Sequence, residues 1–144
     1  DLPVLPLLST APNFQLHDVN GERISLDCFT NRGPVLLLFV KGGCEGCAAI
    51  EPDVDRWADD HTERARFVVV STGGEGRTEH YRRHPVLFQT HKEIATQYGI
   101  GGGPAVLLIG QGNVVLSAPA IGVLPVRAFM SALQAAATLP VPRS

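Results

Sequence analysis

A chain of 144 residues with 44% hydrophobic content can bury a full core and is expected to fold as one domain over residues 1–144, with 1–9 a lead-in and 138–144 a tail. The formal net charge of −2 offers no basic surface to nucleic acid or to an anionic membrane. Three cysteines are too few to staple a small scaffold and leave one thiol over, and no apolar run approaches the ~20 residues of a membrane span.

The chain opens on Asp1 to Leu8, apolar but broken by Pro3 and Pro6 and lacking a cationic stretch, so it does not read as a signal peptide. Without an initiator Met it is expected to be a trimmed or processed chain from which any anchor has been cut. Phe14 and Leu16, then Ile24 and Leu26, alternate on either side of Val19-Asn20-Gly21-Glu22, which predicts an N-terminal β-hairpin. Cys28-Phe29 then passes into a loop, Thr30 to Pro34. Cys28 is expected to be a small buried hydrophobe with nothing nearby to activate its thiol.

Val35 to Val40 are six apolar residues in a row, the pattern of a strand buried on both faces of a parallel sheet. A polar turn, Lys41-Gly42-Gly43, leads to Cys44-Glu45-Gly46-Cys47. Ile50, Val54, Trp57, Ala58 and His61 then mark one face of an amphipathic helix. The two cysteines thus stand where a strand hands over to a helix. Unpaired N–H groups and the positive end of the helix dipole favour a thiolate there. A Cys-x-x-Cys pair is also half of many zinc sites, but the remaining cysteine is Cys28 and none of the five histidines lies within a dozen residues. The strand–turn–helix setting favours a redox pair over a metal site.

Pro52 falls inside the helix and is expected to bend it. Phe67 to Val70 reads as the next buried strand. Gly73-Gly74-Glu75-Gly76 lacks both the Gly-Lys-Ser/Thr ending and the G-x-G-x-x-G register of a phosphate loop, and is read as a connection. Glu79 to His84 predicts a short helix ended by Pro85. His80 and His84 share a face at metal-ligand spacing, yet no third ligand is evident and a solvated basic face is preferred. Val86 to Phe88 reads as a short strand, and His91 to Tyr98 as a helix with Ile94, Ala95 and Tyr98 inward. After Gly101 to Pro104 comes an antiparallel hairpin, Ala105–Ile109 and Val114–Ser117 around Gln111-Gly112-Asn113. Leu124 to Ala137 closes the chain as a helix with Pro125 in its first turn and Val126, Phe129, Met130 and Leu133 inward.

Ala11-Pro12-Asn13-Phe14-Gln15-Leu16, Asn20-Gly21, Ile24-Ser25-Leu26, the strand before Cys44-Glu45-Gly46-Cys47, Pro52, Tyr98-Gly99-Ile100 and Gly103-Pro104-Ala105 through Ile109 together resemble the thioredoxin superfamily. More narrowly, they resemble the bacterial extracytoplasmic thiol–disulfide oxidoreductases of the TlpA/ResA type, MauD-like proteins included. The resemblance runs from about Thr10 to Ala137. It implies a thioredoxin-like α/β fold: a mixed central sheet with helices on both faces, an N-terminal β-hairpin and an internal αβα insertion. It also implies that the active-site helix bends at Pro52, and that Pro104 is a cis proline facing the dithiol. A proline offers no N–H, which leaves the backbone of Gly103 free to pair with an extended peptide.

The expected activity is thiol–disulfide exchange with a protein partner, in the direction of reduction, with the disulfide returned to the dithiol by an upstream donor. Cys44, nearer the helix start, is the expected attacking thiolate and Cys47 the resolving one. Gly103 and Pro104 guide the substrate, while Glu45, Gly46 and Lys41 tune the thiols. No cofactor, metal, nucleic acid or membrane contact is expected of this domain. It is expected to be a monomer held outside the cytoplasm, anchored to the membrane in the full-length protein. Apocytochrome c, a copper-site protein and a methylamine-pathway subunit are all compatible partners.

Several positions depart from the family's habit: Gly43 replaces a bulky residue, Gly46 a proline (a looser loop), Gly103 a β-branched residue, and Leu38 the buried acid of thioredoxin itself. Two alternatives stay open. A peroxiredoxin-like thiol peroxidase requires Thr three residues and Pro seven residues before its reactive cysteine, where Lys41 and Leu37 stand. A non-catalytic thioredoxin-fold binding module would carry its disulfide as a structural bond with a reduction potential below about −300 mV.

Overall fold

Six successive apolar side chains at Val35–Val40 leave a strand one stable place, the middle of a sheet covered on both faces. The computed structural model describes residues 4–61, 65–73, 85–89, 91 and 93–138. In chain order its elements are β1 (Gln15–His17), β2 (Arg23–Ser25), α1 (Leu26–Thr30), β3 (Val35–Lys41), α2 (Glu45–His61), β4 (Arg66–Thr72), β5 (Val86–Gln89), α3 (Glu93–Gln97), β6 (Ala105–Gly110), β7 (Val114–Val115), β8 (Ala120–Ile121) and α4 (Val123–Thr138). The sheet runs β2-β1-β5-β4-β3-β6-β7, with β8 also on β6. β3 pairs parallel with β4 and antiparallel with β6, and β4 pairs parallel with β5, so the sheet is mixed.

Alternation along β3 sends its side chains into two separate cores. Val35, Leu37 and Phe39 meet Leu26 and Phe29 of α1, Ile94 and Ala95 of α3, and Tyr98 on one face. Leu36, Leu38 and Val40 meet Ile50, Val54, Trp57 and Ala58 of α2 with Val126 and Met130 of α4 on the other. These inward residues of α2, α3 and α4 are among those their periodicity picks out; Phe129 and Leu133 are only half-buried, and the side chain of His61 lies outside the described residues. α2 and α4 are also joined at the surface, where Arg127 reaches the Asp53 carboxylate at 3.4 Å and donates to the Ala49 carbonyl at 3.1 Å.

The N-terminal hairpin is present and joins β5 through His17 opposite Phe88. Its turn is set by Asp18, whose Oδ1 accepts the N–H groups of Asn20 and Glu22 at 2.9 Å, and by Gly21 at φ +80°.

The structure revises the readings of Cys28 and α3 and adds pairings that were not expected. Cys28 lies on α1, not in a loop, and it is exposed rather than buried, because Leu26 and Phe29 take the inward positions of so short a helix. Its thiol is also not without an activating neighbour: the Ser25 hydroxyl, 3.4 Å from its sulfur, pulls it below its ordinary value. α3 is shorter than His91–Tyr98, since the Gln89 side chain accepts the Ile94 and Ala95 N–H groups and fixes where the helix starts. Leu8 to Thr10 of the lead-in pair with Val114 and Val115, and β8 forms a further antiparallel contact with β6. Of the αβα insertion, β5 and α3 are seen; Glu79 to His84, with the His80/His84 pair, lie outside the described residues, as do Gly74 to Gly76 and residues 139–144.

Candidate active site

β3 delivers the chain to the top of the sheet at Lys41, and the turn beyond it is held by the Gly42 N–H on the Thr72 carbonyl at 3.0 Å. Gly43 has φ +78°, the left-handed region, and a Cβ there would meet nothing within 4 Å. Conformation rather than crowding requires glycine at this point. The next residue is Cys44, immediately before α2, and its carbonyl accepts the Ala48 N–H at 3.1 Å. Its sulfur accepts the Cys47 N–H at 3.2 Å, so Cys44 caps the helix as a serine or aspartate side chain would.

The two sulfurs have different surroundings. Cys44 is half-buried and, as the thiol, donates to the Gly103 carbonyl at 3.5 Å. Cys47 is 3% exposed and packs among Leu38, Ile50 and Val126. Burial pushes the Cys47 thiol up to about 12; its hydrogen bond with Cys44 and the charge of Glu51 act in the same sense, while the Lys41 N–H, 3.4 Å from Cys47 Sγ, opposes them. All three cysteines are free, so the structure shows the dithiol form.

Gly103 and Pro104 lie across the dithiol, joined by a cis peptide bond. A Cβ on Gly103 would stand 3.4 Å from Cys47 Sγ and 3.7 Å from the Phe39 carbonyl, so the backbone here lies at contact distance from the buried sulfur. Pro104 is buried, and its carbonyl accepts the Gly122 N–H at 2.7 Å, which ties the loop to the start of α4. Gly46 stands at a close approach of three segments. A Cβ there would lie 2.9 Å from Pro104 Cδ and 3.1 Å from Val123 Cγ2, so glycine is what allows the loop, the proline and α4 to close on one another.

Two hollows open beside Cys44. One, of about 230 Å³, is lined by Lys41, Glu45, Cys47, Glu51 and Ser71 among others. The second is a slot of about 50 Å³ walled by Phe39, Ala95, Ile100, Gly102 and Gly103. Every residue singled out from the sequence for the site, namely Lys41, Cys44, Glu45, Gly46, Cys47, Gly103 and Pro104, therefore comes to this one end of the sheet. Glu51, Val123 and Gln89 were not singled out. Glu51 could have been found one helical turn after Cys47. Val123 and Gln89 reach the site through tertiary packing, which no local pattern carries.

A family model described as the AhpC/TSA family matches residues 8–117. The thiol-disulfide oxidoreductase ResA of Bacillus subtilis (strain 168) is 30% identical over 115 residues, which are 74% of this chain and 64% of that protein; the chain spans less than two thirds of that relative's length. Among solved structures, a putative thiol:disulfide interchange protein DsbE from Chlorobium tepidum superposes with a TM-score of 0.75 at 21% identity, over 92% of this chain and 97% of that one. Peroxidoxin BcpB from Mycobacterium tuberculosis gives 0.71 at 22% identity, over 90% and 96%. At these identities the two structures establish the fold, which is thioredoxin-like.

Proposed function

The chain belongs to the AhpC/TSA family, and on that premise we propose that it is a thiol–disulfide oxidoreductase acting on protein disulfides. The observation that carries the reading is the inequality of the two sulfurs. Cys44 is reachable and capped by the Cys47 N–H, whereas Cys47 is buried with its thiol raised. In the reducing direction the Cys44 thiolate attacks one sulfur of the partner's disulfide. That bond breaks, a Cys44–partner disulfide forms, and the other partner sulfur leaves as a thiolate and takes a proton. Cys47 then gives up its proton and attacks Cys44 Sγ, releasing the second partner thiolate and closing the Cys44–Cys47 disulfide. The partner has gained two electrons, which an upstream dithiol donor restores to this protein.

The backbone of Gly103, with Pro104 behind it, guides the partner's cysteine-bearing segment, and Glu45 and Lys41 set the balance of charge around the thiolate. Resemblance to the extracytoplasmic oxidoreductases supports a station on the outer side of the cell membrane, as a monomer serving a maturation step such as that of cytochrome c. Among the described residues no helix is long and apolar enough to cross a membrane.

The test is trapping. Cys47→Ser leaves mixed disulfides on Cys44 that persist on non-reducing gels, and Cys44→Ser abolishes exchange. Faster alkylation of Cys47 than of Cys44 in the reduced protein would overturn the roles. The likeness to a peroxidoxin supplies the rival reading, in which the reduced protein consumes hydrogen peroxide; Lys41 and Leu37 stand where that chemistry calls for Thr and Pro.

A further inference from the structure

We propose that the hollow of about 230 Å³ beside the dithiol is a subsite for a zwitterionic aminothiol of the size of free cysteine, and that this protein releases protein thiols from mixed disulfides with that small molecule. The subsite rests on the oxidoreductase reading and narrows its substrate class. At ~30 Å³ for each water-sized group, the hollow holds about seven or eight of them, close to the roughly seven non-hydrogen atoms of cysteine. Its floor is buried and its mouth is charged. Val40, Cys47 and Ser71 are each 5% exposed or less, whereas Lys41 and Glu45 are exposed and Glu51 is half-buried. Val40 offers hydrocarbon to the methylene of such a ligand. An ammonium and two carboxylates around one opening complement the carboxylate and the ammonium that an amino acid carries on a single carbon. Glu51 is close enough to Cys47 for its charge to act on that thiol, so the charged rim reaches the reacting centre.

Cys44 lines the hollow and also donates to the Gly103 carbonyl, so one sulfur serves both the small-molecule subsite and the backbone that guides a polypeptide. A mixed disulfide presents two unlike sulfurs, and the subsite decides which of them is attacked. With the amino-acid half in the hollow, the Cys44 thiolate attacks its sulfur. The bond to the protein sulfur breaks, and the protein thiolate leaves and takes a proton. Cys47 then gives up its proton and attacks Cys44 Sγ, which closes the Cys44–Cys47 disulfide and expels the small thiolate to be protonated in turn. The two electrons of the dithiol pass to the mixed disulfide, and the upstream dithiol donor replaces them. A tripeptide thiol such as glutathione, whose cysteine nitrogen is an amide, lacks the ammonium and overfills the hollow. Because the charges stand at an open mouth, each is worth about two- to fivefold in rate.

The experiment uses the reduced protein and the peptide Gly-Gly-Cys-Gly-Gly as its mixed disulfide with cysteine, cysteamine, 3-mercaptopropionate, glutathione or 2-mercaptoethanol. Each rate is divided by that of dithiothreitol with the same substrate, which removes intrinsic differences in leaving group. The cysteine disulfide is expected to react about tenfold faster than the mercaptoethanol one, the product of two such charge effects. It is also expected to outpace the cysteamine disulfide, which lacks the carboxylate, while the mercaptopropionate and glutathione disulfides show no gain. Glu51→Gln should lower the cysteine-to-mercaptopropionate ratio and Lys41→Gln the cysteine-to-cysteamine ratio, each about two- to fivefold. Both ratios are taken within one variant, so a general change in thiol reactivity cancels, and thermal unfolding shows that each variant has folded. In Cys47→Ser, mass spectrometry should find cysteine rather than the peptide on Cys44. A cysteamine disulfide reacting as fast as the cysteine one, ratios unmoved in both charge variants, or the peptide on Cys44 overturns the subsite. Any of these, with peptide still released, leaves the oxidoreductase reading intact. Failure to release the peptide from any of the five disulfides overturns both.

Discussion

Gly46→Ala adds one methyl group at the point where the dithiol loop, Pro104 and α4 meet. Its Cβ would lie 2.9 Å from Pro104 Cδ, 3.1 Å from Val123 Cγ2 and 3.6 Å from the Gly103 carbonyl oxygen. A carbon–carbon contact wants about 3.5–4.0 Å, so two neighbours must retreat by several tenths of an ångström. Overpacking of this kind costs ~1–3 kcal/mol. Against it stands the preference of a helix for Ala over Gly, ~0.5–1 kcal/mol. Overpacking outweighs helix preference, and a net loss of about 1 kcal/mol, at most about 2.5, is expected, read as a lower denaturant midpoint at unchanged slope. Val123→Ala removes Cγ2 and with it one of the two clashes, while the Pro104 ring stays. The double variant should therefore lose less stability than the sum of the singles, with a coupling of about 0.5–1 kcal/mol. Disulfide-reduction rates should follow, because the displaced group is the first turn of α2, whose Cys47 N–H caps Cys44. Unchanged or raised stability in Gly46→Ala, or strict additivity with Val123→Ala, would show that the close approach imposes nothing.

Three further outcomes are expected. The Cys47 thiol is raised to about 12 from its ordinary 9, so above pH 9 the unfolded chain loses this proton before the folded one does, and stability falls between about pH 9 and 12; denaturant titrations of the reduced protein at pH 8 and 10 should show a drop that Cys47→Ser lessens, and equal drops would refute the assignment. Glu45→Gln removes an exposed negative charge beside Cys44, stabilises the thiolate and thus the reduced form, and should raise the reduction potential by about 5–20 mV against glutathione, a fall in the variant speaking against a charge effect. In a Cys44→Ser/Cys47→Ser background, Cys28 should still be alkylated at pH 8, and more slowly once Ser25→Ala removes its hydrogen bond; an unlabelled chain would contradict its exposure.

What the sequence makes legible are features written in local pattern. The run Val35–Val40 locates the central strand, alternation about Asn20-Gly21 the hairpin, and 3.6-residue spacing the inner faces of α2 and α4. The strand–turn–helix setting of Cys44 and Cys47 locates the site itself. The features that escape it depend on what lies across the fold. β8 is two residues long and has no period to detect; it exists because β6 offers it an edge. Cys28 is apolar enough to suit a core, but the five-residue α1 has room inward only for Leu26, Phe29 and Thr30. Gly46 is the clearest case. Residue type alone suggests a permissive loop, since glycine widens the choice of backbone conformations. The same missing Cβ is also what lets three segments touch, and only the positions of Pro104 and Val123 decide between the two meanings. Glycine in a redox loop therefore tightens or loosens according to its neighbours, and here the neighbours tighten it.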